Sequence, residues 1–88
     1  MRETRDLVLD GNAAGGLLLE LFGVDLTAAP CVCDGCGARE ELARLDVYVQ
    51  CPGVVLRCRH CGAVVMTIVR GPTRTWVDVS GTRRLELA

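Results

Sequence analysis

The chain has 88 residues, 50% of them hydrophobic, with six cysteines, three aromatics and a formal net charge of −1 at pH 7. That length holds one small domain at most, and the hydrophobic share excludes a disordered polar chain. The slightly acidic balance excludes the overall basic footprint of a general nucleic-acid binder. With Phe22, Tyr48 and Trp76 as the only aromatics, the side chains that bury most area are scarce. Apolar burial set against about 1.5 kcal/mol of lost conformational entropy per residue nets near zero for so short a chain, so it needs a staple. The cysteines are the candidates.

In chain order, residues 1–9 read as an N-terminal tail. "MRETRDLVLDG" has neither the apolar stretch nor the small-residue cleavage site of a secretory leader. No apolar run approaches the ~18 residues needed to cross a bilayer. The expected location is the cytoplasm, where thiols stay reduced and closely spaced cysteines hold metal more often than disulfides.

Residues 10–23, "DGNAAGGLLLELFG", predict a helix with Asp10 or Asn12 as N-cap and Gly23 as C-cap stop. Gly15 and Gly16 weaken it by up to about 1 kcal/mol each relative to Ala. Leu17, Leu18, Leu19, Leu21 and Phe22 leave Glu20 as the one clearly polar side chain over two turns. A helix apolar on most sides is buried on most sides. Simple core packing is one outcome; otherwise residues 24–30 fold back over it, or a protein partner or second copy covers Leu17–Phe22. The lack of a basic face argues against a membrane surface.

The next segment carries the chemistry. "CDGCG" at 33–37 and "CRHCG" at 58–62 each set two cysteines around a two-residue gap and follow with glycine. Such a turn brings two thiolates to adjacent vertices of a tetrahedron with metal–sulfur bonds of ~2.3 Å, and two turns supply four vertices. The glycine lets backbone N–H groups turn toward the sulfurs. Cys33, Cys36, Cys58 and Cys61 are the expected ligands of Zn2+, with iron as the alternative.

Around the two turns the chain reads as β structure. "LDVYVQ" (45–50) puts Leu45, Val47 and Val49 on one face, and "GVVLRC" (53–58) follows a turn at Pro52 and Gly53. "AVVMTIV" (63–69) is β-branched and apolar. After a turn at "RGPTR" (70–74), "TWVDVS" (75–80) sets Thr75, Val77 and Val79 against Trp76, Asp78 and Ser80. The expected fold is small α+β: a zinc ribbon over residues 24–82 with two CxxCG knuckles and antiparallel β-hairpins, preceded by one apolar helix. Residues 83–88 read as a C-terminal tail.

"LDGNAAGGLLLELFGVDLTAA", "CDGCG", "PGVVLRCRHCGAVVM" and "TWVDVSG" together resemble a family of short actinobacterial proteins, known only as a domain of unknown function with a zinc ribbon. The likeness runs from about Leu9 to Gly81, and the ten basic residues, all arginine, suit a GC-rich genome. The resemblance implies a small zinc-binding protein and no established activity. Cys31 and Cys51 depart from the family's pattern. Cys31, two residues before Cys33, is open as an alternative ligand. With Cys51 it could form a disulfide or a thiol sensor, or both could be free thiols packed as small apolar groups. His60 reads as a solvent-facing spacer.

Charge is unevenly spread. Residues 1–50 carry nine acids and four arginines, residues 51–88 two acids and six arginines. Arg57, Arg59, Arg70 and Arg74 either cluster on the second knuckle and the hairpin tip as a patch or pair with the acidic half. Three functions follow: a structural zinc module docking protein through its helix, a nucleic-acid- or transcription-associated ribbon using the arginine patch, and a redox protein. The redox options are a rubredoxin-like iron centre, against which the few aromatics argue, and a thiol switch. One histidine without a nucleophile–base pair makes no catalytic constellation, so no enzyme is expected.

Overall fold

Alternating and β-branched segments form the centre of the fold, as their pattern requires. The computed structural model describes residues 8–50 and 53–87. Its strands are β1 (Val8–Asp10), β2 (Pro30–Cys33), β3 (Arg39–Glu41), β4 (Asp46–Gln50), β5 (Gly53–Arg57), β6 (Val64–Arg70), β7 (Thr75–Asp78) and β8 (Thr82–Leu85). Helix α1 spans Gly15–Phe22, and short 3-10 turns occupy Gly11–Ala14 and Leu42–Arg44. The strands make a five-stranded sheet in the order β1-β4-β5-β6-β7 and a three-stranded sheet in the order β3-β2-β8. Every pairing is antiparallel.

Register explains the core. Val47, Leu56 and Met66 stand side by side across β4, β5 and β6, with Val54 opposite Ile68 one step along. Leu18 of α1, Leu26, Leu42 and Leu45 close over that face, joined by Cys31 and Cys33 of β2. Both sheets therefore share one cluster. The opposite face of the larger sheet carries Tyr48, Val55, Thr67 and Asp78 in a row.

The helix is shorter than its sequence suggests. Asp10 lies in β1 opposite Asp46, and Asn12 in the first 3-10 turn. Ala14, which makes no side-chain cap bond, takes the N-cap position. Pairing of Leu9 with Val47 on the edge of β4 draws the chain into the sheet before the helix can start. The stop is where expected: Gly23 (φ 77°) donates its N–H to the Leu19 carbonyl at 2.8 Å. Residues 24–30 do fold back. Leu26 is buried, and Thr27 and Ala29 accept hydrogen bonds from Ala43 and Leu42 at 2.9 and 3.0 Å. Even so, Leu19 and Phe22 of the helix and Val24 after it stay exposed.

Neither expected tail stands as such in the described residues. Val8–Asp10 is a strand. At the other end β8 runs beside β2, with Cys31 opposite Leu85 and Val32 opposite Arg84. Glu86 continues the pairing through a 2.8 Å bond from its N–H to the Pro30 carbonyl, and its carboxylate takes a two-pronged bond from Arg39 at 2.7 and 2.9 Å. "TRRL" carries no apolar alternation because its strand has little core to face. Cys51 and the turn at Pro52 lie outside the described residues. No helix among the described residues is long and apolar enough to cross a membrane.

Two glycines separate close packing from propensity. A Cβ at Gly81 would run into the Val64 carbonyl, where the chain leaves β7 for β8, whereas one at Gly16 meets nothing within 4 Å. Gly81→Ala should lower the melting temperature by several degrees or abolish folding. Gly16→Ala, inside a helix, should raise stability by up to about 1 kcal/mol. Thermal and urea denaturation of the two variants checks both.

Candidate metal centre

Cys33 is the last residue of β2, and Cys58 directly follows β5. Each begins the same turn. The Cys33 N–H donates to the Ala38 carbonyl at 2.9 Å and the Gly37 N–H to the Cys33 carbonyl at 2.8 Å. The Cys58 N–H donates to Ala63 at 2.9 Å and the Gly62 N–H to Cys58 at 2.8 Å. Gly37 and Gly62 sit at φ 79° and 81°. A left-handed residue with a side chain costs roughly 1–2 kcal/mol, so the glycine of each motif lets the chain close the turn. The two knuckles are copies of one structure.

They face each other from different sheets. The Cys33 and Cys61 sulfurs are 3.7 Å apart, as are those of Cys36 and Cys58. All four lie within 4.8 Å of one another, Cys33 and Cys58 buried, Cys36 and Cys61 exposed. A tetrahedron with ~2.3 Å bonds to sulfur has edges of about 3.8 Å, so the spacing fits one ion. Four sulfur donors suit a thiolate-preferring metal such as zinc or iron. Backbone N–H groups already point at them: His60 toward the Cys58 sulfur at 3.4 Å, and Gly35 and Cys36 toward Cys33.

The thiols differ in acidity. Burial would raise the Cys33 pKa, but those N–H groups and the neighbouring thiols of Cys61 and Cys36 bring it down to about 7. At Cys36 the Ala38 N–H pulls the pKa down. Desolvation and the thiols of Cys58, Cys61 and Cys33 prevail and push it up to about 11. The cluster gives up its first proton readily and resists losing more until a cation takes up the charge.

Two arginines brace the turns. Arg57 donates to the Gly62 carbonyl at 2.8 Å while its guanidinium lies 5.6 Å over the Tyr48 ring. Arg83 donates to the Asp34 carbonyl at 3.3 Å and stands 3.6 Å from the Asp34 carboxylate. Four thiolates around a divalent ion would carry two net negative charges, and both cations contact residues of the turns that bear the thiolates. Nothing in the spacing of Arg57 or Arg83 announces this placement, which depends on β5 and β8 pairing as they do.

Cys31 shares the inward face of β2 with Cys33 but is no member of the four-sulfur group. It lies in the core, where burial, then the charges of Cys33, Cys58 and Glu40, push its pKa up to about 11. His60 is exposed on the second knuckle and contacts Glu40 of β3 at 2.8 Å. The arginines singled out in sequence do not gather. Arg57 and Arg59 lie at one end of β6, Arg70 and Arg74 at the other, about 20 Å away at ~3.3 Å per residue. Arg70 is forked onto Glu20 with two 3.2 Å bonds. Among the described residues, every ion pair joins residues 1–50 to residues 51–88: Glu20 with Arg70, Asp34 with Arg83, Arg39 with Glu86, Glu40 with His60.

The model of a family of unknown function, DUF6510, matches residues 2–88, and the chain belongs to that family. Neither a curated protein nor a solved structure matches it.

Substitution separates the roles of the cysteines. Cys36→Ser and Cys61→Ser, though at exposed positions, should each abolish stoichiometric metal binding and lower the melting temperature sharply. Cys31→Ala should keep full metal content and lose about 1 kcal/mol of stability. Metal analysis beside thermal melts distinguishes these outcomes. Wild-type metal content in Cys36→Ser would show that the sulfur group is assigned wrongly.

Proposed function

We propose that this DUF6510 protein is a zinc ribbon of the actinobacterial cytoplasm whose metal is structural and whose task is to bind another protein. The observation that carries the metal assignment is the facing pair of identical knuckles, with sulfurs at the 3.7 Å spacing a tetrahedral ion requires. Cys33, Cys36, Cys58 and Cys61 would hold the ion. Four thiolates leave it no open position for water or substrate, so it supplies folding energy rather than catalysis. In small domains that contribution is about 10–16 kcal/mol. Zinc is favoured over iron because Tyr48 and Trp76 belong to the solvent face of the larger sheet and Phe22 to the exposed end of the helix, none of them packed round the sulfurs.

The helix supports the interaction role. Leu19 and Phe22 are 50% and 43% exposed on a short helix anchored by buried Leu18 and stopped at Gly23, with Val24 (52%) beside them. Apolar side chains so presented fit a protein partner better than a phosphate backbone. The nucleic-acid alternative draws less support, since its four arginines lie at opposite ends of β6 and Arg57 and Arg70 are already engaged.

Native mass spectrometry of the reduced protein tests the metal assignment. One zinc per chain is expected, and chelation should unfold the protein cooperatively. Iron with thiolate charge-transfer absorption would replace the structural reading by an electron-transfer one, and a folded metal-free chain with disulfides would overturn it. Leu19→Glu together with Phe22→Glu should leave zinc content and melting unchanged while abolishing partner binding.

A further inference from the structure

β7 is an edge strand with no cover. All four of its residues are exposed, Trp76 at 55%, and among the described residues no strand pairs with its outer side. An apolar, open edge of this kind is a template for another strand, and natural proteins usually blunt it with charge, proline or a bulge. Here the charges at its ends have opposite signs.

The hydrogen-bond pattern restricts what can pair there. The Gly71 N–H donates to the Arg74 carbonyl at 2.8 Å, which makes Gly71 and Arg74 a bonded pair of the β6–β7 hairpin. Bonded and non-bonded pairs alternate along an antiparallel ladder. In the observed register Val69–Trp76 and Thr67–Asp78 are then the bonded pairs, while Thr75 and Val77 turn their N–H and C=O groups outward. A two-fold pairing of β7 with itself must bond Thr75 and Val77 to such outward residues, so its centre falls on Thr75, Trp76 or Val77.

Only one of the three matches charge. Centred on Thr75, Arg74 would face Trp76 of the other copy and Asp78 would face Pro72. Centred on Val77, Arg74 would face Ser80 and Asp78 would face Trp76. Centred on Trp76, Arg74 of each copy faces Asp78 of the other, twice over, while Thr75 and Val77 exchange backbone bonds. The two indoles then meet in a non-bonded pair, where side chains approach most closely. Arg74, Trp76 and Asp78 share one face of the strand, and the Arg74 guanidinium already stands 6.0 Å over the Trp76 ring. A recess lined by Thr67, Val69, Trp76 and Asp78 lies beside this edge. Ser80 fixes the Asp78 carboxylate at the strand's end through a 2.8 Å bond from its N–H.

We propose that the protein dimerises through β7, antiparallel and centred on Trp76, joining two five-stranded sheets edge to edge with reciprocal Arg74–Asp78 pairs. The interface is self-complementary, as a two-fold contact must be. It is separate from the apolar helix and does not depend on which metal the cysteines hold.

Sedimentation of the full, zinc-loaded chain over a roughly hundredfold concentration range should show a monomer–dimer equilibrium. Arg74→Asp and Asp78→Arg each set two like-charge pairs across the axis and should each weaken dimerisation by about tenfold or more. Mixed in equal amounts, they should form a heterodimer, because every cross-strand pair is then of opposite charge. A second readout involves no charge change: under mild oxidation Trp76→Cys should cross-link to itself faster than Val79→Cys does. The proposal is overturned by a chain that stays monomeric throughout, by a dimer that neither charge substitution weakens, by a mixture no tighter than its components, or by cross-linking without preference for position 76.

Discussion

Four sulfurs meet where the two sheets come together, and the arrangement of the fold turns on that junction. The three-stranded sheet is built from strands of three and four residues, shorter than the usual length of about five or six. It ends at Cys33, and the larger sheet passes through Cys58 and Cys61 between β5 and β6. One ion bound by all four sulfurs would fasten the two sheets to each other. Without it the thiols compete for charge, as the opposite displacements of Cys33 and Cys36 show.

Polar contacts add further ties, one of which, Glu40–His60, also bridges the two sheets. Glu40–His60 ties β3 to the second knuckle, Asp34–Arg83 ties the first knuckle to β8, and Glu20–Arg70 ties the helix to the far end of β6. Exposed pairs like these are individually weak and screened by salt. Their value is directional, since each joins the acidic half of the chain to the basic half and disfavours other ways of folding them together. A patch for phosphate would need arginines that such pairs leave free and adjacent.

Outside the core and the sulfur group, large apolar side chains stay open to solvent on the helix and on the strand at the sheet's edge. The apolar end of the helix and the uncovered edge of β7 belong to different elements. On the proposed reading, one would meet a partner's apolar side chains and the other a partner's backbone.

The sequence by itself determined the parts whose causes are local. The CxxCG turns were legible because cysteine spacing and a left-handed glycine are matters of a few consecutive residues. The four long hairpin strands were legible because β-branched alternation spans five or more residues in most of them. Tertiary structure alone decided the rest. β1, β2, β3 and β8 are too short to show a period and exist because a neighbour supplies their hydrogen bonds. Cys31, two residues before Cys33 on the same strand face, is open in sequence as an alternative ligand, yet only Cys33 at the strand's end joins the four-sulfur group. The arginines that seemed to form a group were separated by the length of β6. Pairing across the sheet, which no local pattern encodes, sets those distances.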